Sequence, residues 1–308
     1  MVKPWGLCLS APALLLMLAA CGPQPTASHS PTSSPSPGPS IAATAGPQLV
    51  KPPHTLVTSG TLTFLSDTSY PPQESIDPQT NRAVGFDIDI ANAIAARMGL
   101  TATIVTTDYA IIVPSLLARK GDAVISAMAV TPELERQVAF VGYFQSGESI
   151  MVRKGNPAGI QKLSDLCGRK VGVQVTTAEQ DTLTSENSGD CAQRHLEINT
   201  YPTDTAAVQV LRDGGLDAVI DDAPVSASFV AGNPDTLEIA GAPFHLGTEG
   251  IAVDPQNHDL LTAIQQAMLS IYEDGTYRDI LARWHLESEE LPASQIIVSP
   301  APQLSPSG

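Results

Sequence analysis

Six short runs rich in β-branched and other apolar residues, at 62–65, 102–105, 123–125, 171–173, 218–220 and 251–253, are separated by stretches with the spacing of amphipathic helices. Such alternation argues an α/β architecture. The clearest helical stretch, residues 85–98, reads GFDIDIANAIAARM. Asp87 stands where an N-cap belongs, Asp89 adds negative charge to the first turn, and Gly99 can end the helix in a left-handed turn. Ile90, Ile94 and Met98 recur every four residues and form one apolar face. Leu260, Ile264, Ala267 and Ile271 form another near the C-terminus. The DGTY that follows at 274–277 reads as a helix stop, with Gly275 at the turn and Thr276 able to cap a last helix ending near Trp284.

The flanks have a different character. Lys3 supplies a charged start, and residues 5–20 are uncharged but too short to span a bilayer, the pattern of an export signal. Leu18, Ala19, Ala20 and Cys21 resemble a lipoprotein processing box, in which cleavage leaves an acylated Cys21; a plain secretory signal with an incidental cysteine is the other reading. Residues 21–54 are mostly Pro, Ser, Thr, Ala and Gly, and cannot bury enough apolar surface to offset their ordering entropy. They read as a disordered tether, which at about 3.1 Å per residue reaches on the order of 100 Å. Residues 291–308 share this composition, although 296–298 could add an edge strand.

With 16 basic and 32 acidic residues the chain carries a formal charge of −16, so nucleic acid is excluded as a partner. With Cys8 in the signal and Cys21 in the box that resembles a lipidation site, Cys167 and Cys191 are the pair in the folded region that an oxidising compartment would join. The six histidines show no metal-binding spacing with a partner, and the GxSxG, Walker and GxGxxG patterns are missing. No cofactor or metal is expected, and the weight moves from catalysis to binding.

The order and spacing of SDTSYPP at 66–72, the helix at 85–98 and DAVISAMAVTPE at 122–133 resemble the family 3 extracellular solute-binding proteins, which feed polar amino acids to ABC importers. The resemblance covers residues 61–286. It implies a two-lobed α/β fold of the type II periplasmic-binding-protein kind, with chain crossings near 147–151 and 245–250. The expected organisation is a signal (1–20), a lipidated tether (21–54), lobe one in two parts (55–146 and 249–290), lobe two (147–248) and a tail (291–308). The DLCG at 165–168 looks like the subset of the family that carries a disulfide in lobe two.

Carried over position by position, the family's pocket falls on Asp67, Tyr70, Tyr109, Ser126, Ala127, Ala129, Leu134, Gln174, Thr176, Thr177 and Asp222. Tyr70 and Tyr109 match rings that flank the ligand. Asp67 and Asp222 match carboxylates that meet its amino or polar groups. Asp222 could instead simply cap a helix starting at Ala223, and Asp221 is expected to be solvated. Three positions depart from the pattern. Leu134 stands where the family has an arginine that clamps the ligand carboxylate, with Thr131 and Pro132 still opening a helix and Arg136 pointing elsewhere. Ala129 stands where a serine or threonine is frequent, and the glycine before paired threonines is missing ahead of Thr176 and Thr177.

The implied function is capture of a small polar solute by lobe closure and its delivery to an ABC permease, by a monomer held at the outer face of the cell membrane through its lipid. Loss of the clamp leans towards a cationic or weakly carboxylate-dependent ligand. An ordinary amino acid held by backbone amides at Thr131 and by Thr176 and Thr177 is the near alternative. The same fold hosts cyclohexadienyl dehydratases, for which Glu148, Glu179 or Asp222 could act as the acid. A ligand sensor that does not transport is the third possibility.

Overall fold

A computed structural model describes residues 50–299. The expected signal, Cys21, most of the tether and residues 300–308 lie outside the described residues. In chain order the elements are β1 (Thr61–Ser66), β2 (Ser69–Tyr70), β3 (Glu74–Asp77), β4 (Arg82–Val84), α1 (Phe86–Arg97), β5 (Thr101–Thr106), α2 (Tyr109–Leu117), β6 (Ala123–Val124), β7 (Ala139–Arg153) and β8 (Lys170–Gln174). They continue as α3 (Ala178–Ser188), β9 (Glu197–Tyr201), α4 (Asp204–Arg212), β10 (Ala218–Asp222), α5 (Ala223–Gly232), β11 (Leu237–Val253), α6 (His258–Glu273), α7 (Thr276–Trp284) and β12 (Val298–Ser299).

Each of the six apolar runs falls on a strand, in β1, β5, β6, β8, β10 and the end of β11. Nine strands form one sheet in the order β5-β1-β6-β11-β7-β10-β8-β9, with β12 against β7, and β2, β3 and β4 form a small separate sheet. Strands β5, β1 and β6 are parallel, as are β10, β8 and β9. Between the two parallel groups lie β7 and β11, paired antiparallel over their length.

These two strands carry the chain between the two halves of the fold. At one end of β7, Ala139, Val141 and Tyr143 join a core with Phe64, Phe86 and Ile264, while Phe140 turns to the opposite face with Leu65 and Leu116. At the other end Ile150 and Val152 pack with Leu183 and Ile220, and Met151 packs oppositely with Leu211 and Val219. The alternation is the period of two of a strand whose faces are both covered. Between the ends the pairing is irregular, with register shifts between Ala240 and Phe244, Phe244 and Gly247, and Glu249 and Gly250. The residues there are Gln145, Ser146, Gly147 and Glu148 on one strand and His245, Leu246 and Gly247 on the other.

The Cys167–Cys191 disulfide is formed, closing a loop with a sequence separation of 24 in the second half. A loop of that size contributes about 3 kcal/mol in the chain-entropy description. The C-terminal strand lies at Val298–Ser299 against Val141 and Phe140. Val50, inside the stretch expected to be tether, is buried against α1. Among the described residues no helix is long and apolar enough to cross a membrane.

Three local expectations change. Asp87 is not the N-cap of α1; Gly85 is, at φ 144°, because a Cβ there would lie 2.0 Å from the Gln73 carbonyl oxygen. Asp87 instead turns inward, accepting hydrogen bonds from the Ala127 N–H (3.0 Å) and the Tyr143 hydroxyl (2.8 Å). Thr276 is the first residue of α7 rather than its cap, Gly275 being left-handed at the N-cap and Asp274 accepting from the Thr276 N–H at 3.1 Å. The helix expected after Thr131 is a single 3-10 turn, Leu134–Arg136. Gly99 does close α1 in the left-handed region, at φ 66°.

Candidate binding site

The carboxyl ends of β1, β6, β8 and β10 deliver Asp67, Ser126, Gln174 and Asp222, which is where ligands sit in open α/β sheets. Asp67 is buried and accepts from the Ser69 hydroxyl (2.9 Å), the Gln174 side-chain amide (2.9 Å) and the Tyr109 N–H (3.3 Å). Its own N–H donates to Ser126 Oγ at 2.9 Å, and burial pushes its carboxyl up. Tyr70 is buried and donates its hydroxyl to Gln174 Oε1. Gln174 thus links the end of β8 in one half to Asp67 and Tyr70 in the other. The rings of Tyr70 and Tyr109 lie 6.1 Å apart, tilted by 32°. At that spacing they contact each other; a planar group sandwiched between two rings needs about twice a 3.5 Å van der Waals contact.

Ser126 donates to Glu74 Oε1 at 2.7 Å. Ala127 is buried with φ 44°, a conformation L-residues adopt rarely, and the bond from its N–H to Asp87 holds it there. Leu134 is half-buried with the apolar cluster of Ile112, Val138 and Tyr109, while Arg136 is exposed and paired with Glu133. Thr177 caps α3, accepting from the Gln180 N–H at 3.3 Å. Thr176 is exposed, bonds to its neighbours rather than towards the other half, and has φ 66°. It therefore holds the left-handed turn that glycine adopts at least cost. Counted from that turn, the two residues following are Thr177 and Ala178.

Asp222 sits at the N-cap of α5 yet makes no side-chain capping bond. Its carboxylate accepts instead from the Ser146 hydroxyl of β7 at 3.5 Å. It lines a cavity of about 160 Å³ with Ala129, Ala178, Glu179 and Glu249. A second cavity, of about 470 Å³, shares Thr131, Glu148, Ala178 and His245 with the first and extends along α3. Tyr70, Asp67 and Gln174 line neither cavity. Tyr109 is tied to the inner one electrostatically, since the carboxylates of Glu179, Asp222 and Glu249 add to burial in pushing its phenol up.

Sequence reasoning offered Glu148 and Glu179 only as acids for an alternative enzyme reading, expected Asp221 to be solvated, and did not single out Asp204 or Glu249. Glu148, Glu179, Asp204, Asp221 and Glu249 are all buried. Asp221 is not solvated: one oxygen accepts from the Asp222 N–H at 2.8 Å and the other has no hydrogen-bond partner. Burial, then repulsion by Glu148, raises Glu179 to about 7; burial and Glu179 raise Asp204 to about 8. Asp222, Asp221 and Glu249 are pushed well above the ordinary carboxylate range, burial again leading and the neighbouring acids following. Among the described residues no Lys or Arg forms an ion pair with any of these groups, and the sole basic side chain within reach is His245, 3.3 Å from Glu148. Glu148 and Glu249 gave a signal of sorts in the sequence, as lone acids in the otherwise apolar or small-residue stretches that cross between the halves.

The family model of the bacterial extracellular solute-binding proteins, family 3, matches residues 62–287. The chain belongs to this family. Similar proteins include the putative ABC transporter arginine-binding protein 2 of Escherichia coli K12, 33% identical over 230 residues, covering 73% of this chain and 90% of the relative. Among solved structures, an ancestral arginine-binding protein bound to glutamine superposes with a TM-score of 0.69 at 35% identity, covering 75% of this chain and all of the other. The ancestral amino acid-binding protein AncCDT-1, described as a precursor of cyclohexadienyl dehydratase, superposes at 0.65 with 29% identity, covering 73% of this chain and 95% of the other.

Proposed function

We propose that this chain is the solute-binding component of an ABC importer, exported through residues 1–20, anchored by acylated Cys21 and acting as a monomer, and that its solute is a small cationic amino acid or amine. Residues 55–146 and 249–290 form one lobe and 147–248 the other, hinged where β7 and β11 lose their regular pairing. Closure is driven by contacts that only the closed state makes.

The observation that carries this reading is the set of carboxylates around the inner cavity, Glu148, Glu179, Asp222 and Glu249, without a lysine or arginine among the lining residues. Buried charge of one sign is costly unless paired, and a bound ammonium or guanidinium supplies the pairing. Each charge-assisted hydrogen bond contributes about 1.5–3 kcal/mol. The relatives named for arginine support a cationic solute. The carboxylate side of an amino acid meets no guanidinium here: Leu134 is apolar and packed away, Ala129 and Ala178 line the cavity without a hydroxyl, Thr176 is exposed, and the hydroxyl-bearing residues lining the cavity are Thr131, Ser146 and Thr248. Binding rather than dehydration fits the same facts, because a dianionic substrate would meet a wall of acids.

A thermal-shift panel of amines and amino acids tests this. Stabilisation by cationic members, amines included, is the expected result; stabilisation confined to neutral or acidic amino acids would overturn it.

A further inference from the structure

Resting on that reading, we infer that the solute is an elongated organic dication, with one cationic centre held by Glu179, Asp222 and Glu249 in the inner cavity and the second held by Glu148, Asp181 and Glu186 in the outer one. The inner cavity, at about 160 Å³, is smaller than the roughly 300 Å³ at which small-molecule sites begin, whereas the adjoining outer cavity of about 470 Å³ brings the site into that range. The two share Glu148, which is 7% exposed and whose Oε1 is engaged by the Thr182 hydroxyl at 2.8 Å while Oε2 has no hydrogen-bond partner. Glu249 on the inner side is 2% exposed and likewise leaves Oε1 without one. These buried oxygens call for donors at the junction and at the inner end.

The outer wall continues the demand. Helix α3 presents Glu179 to the inner cavity and Asp181, Thr182 and Glu186 to the outer one. At 1.5 Å per residue, Glu179 and Glu186 are separated by about 10 Å along the helix axis, so matching charges must be spaced by several bonds rather than clustered on one atom. Glu186 Oε2 is buried without a partner, and Glu133 is already neutralised by Arg136. Among the described residues no three acidic, histidine or cysteine side chains are grouped to hold a metal ion, which favours an extended organic cation over an inorganic one.

The test uses the mature protein and calorimetric titration with putrescine, cadaverine and spermidine, with butylamine and pentylamine as matched monocations and calcium chloride as an inorganic control. The expected result is at least tenfold tighter binding of the di- and polycations than of the monocations. Asp181→Asn, an exposed change that leaves the core untouched, should lower diamine affinity several-fold more than monoamine affinity; Glu148→Gln, at the junction of the two cavities, should weaken both, and diamines the more. Equal affinity for monoamines and diamines would overturn the dication while leaving the cationic reading intact. Calcium binding as tight as spermidine would overturn it in favour of a metal. Binding of neutral amino acids alone, with no amine bound, would overturn both readings.

Discussion

Replacing Glu179 by glutamine should make the ligand-free protein more stable at alkaline pH and at the same time weaken its hold on cations. Glu179 lies in the first turn of α3, is 7% exposed, and is raised from 4.5 to about 7 by burial and by Glu148. The unfolded chain loses this proton near 4.5 and the folded one near 7, so across that window the folded state holds a proton the unfolded state has released. Stability falls as pH rises, by about 1.4 kcal/mol per pH unit, reaching a total cost of about 3 kcal/mol above the folded value. Glutamine does not titrate. The variant should match the parent below about pH 4.5, where the carboxyl is protonated in both the folded and unfolded chain, and exceed it by about 2–3 kcal/mol at pH 8. For a folded region of this size that is a Tm gain of about 4–12 °C, readable by circular dichroism. Affinity for a cationic solute should fall ten- to a hundredfold, the loss of one charge-assisted hydrogen bond. Parallel Tm-against-pH curves for the two proteins, or an unchanged cation affinity, would refute the idea that Glu179 is an unpaired acid awaiting a cation.

Leu134→Arg should strengthen binding of solutes with an α-carboxylate by about 1.5–3 kcal/mol, at a stability cost of about 1 kcal/mol for taking a half-buried leucine out of its cluster; isothermal titration and Tm together check it, and no gain for carboxylate solutes would place residue 134 outside the site. Thr176→Gly should raise Tm by about 1–4 °C, since a β-branched residue at φ 66° costs more than the backbone entropy glycine adds; a lower Tm would mean that Thr176's own hydrogen bonds outweigh its strain. Reducing the Cys167–Cys191 bond, or replacing both cysteines by serine, should lower stability by about 3 kcal/mol in chemical denaturation without changing the binding stoichiometry.

Most of the strands legible in the sequence are buried on both faces, such as residues 218–220 of β10, because uniform burial leaves an unbroken apolar run; β5, half-exposed along its length, was legible from its β-branched residues alone. Strand β7 was invisible for the complementary reason. Its middle, Gln145 to Ser149, is polar because it turns toward the cleft, so the residues that serve the site erase the pattern of the element bearing them. Asp87 has the type and place of a helix cap, but the approach of Gln73 to within a Cβ's reach of Gly85 is a tertiary fact that moves the cap by two residues. Asp221, expected to be solvated beside Asp222, is buried with it, because the pair ends a strand packed against helices. The absent glycine before the threonines was readable as a departure, whereas its consequence, a strained Thr176 and a cavity lined by Ala178, depends on a backbone angle.

Arginine and agmatine, its decarboxylated counterpart, differ by the one group for which no lysine or arginine lines this cleft. Titrating both into the mature protein by calorimetry is therefore the sharpest comparison. If acids alone govern recognition, agmatine binds as tightly as arginine or more tightly, since removing the carboxylate removes a like charge from the acidic wall. Arginine binding more than tenfold tighter than agmatine would mean that the carboxylate is gripped after all.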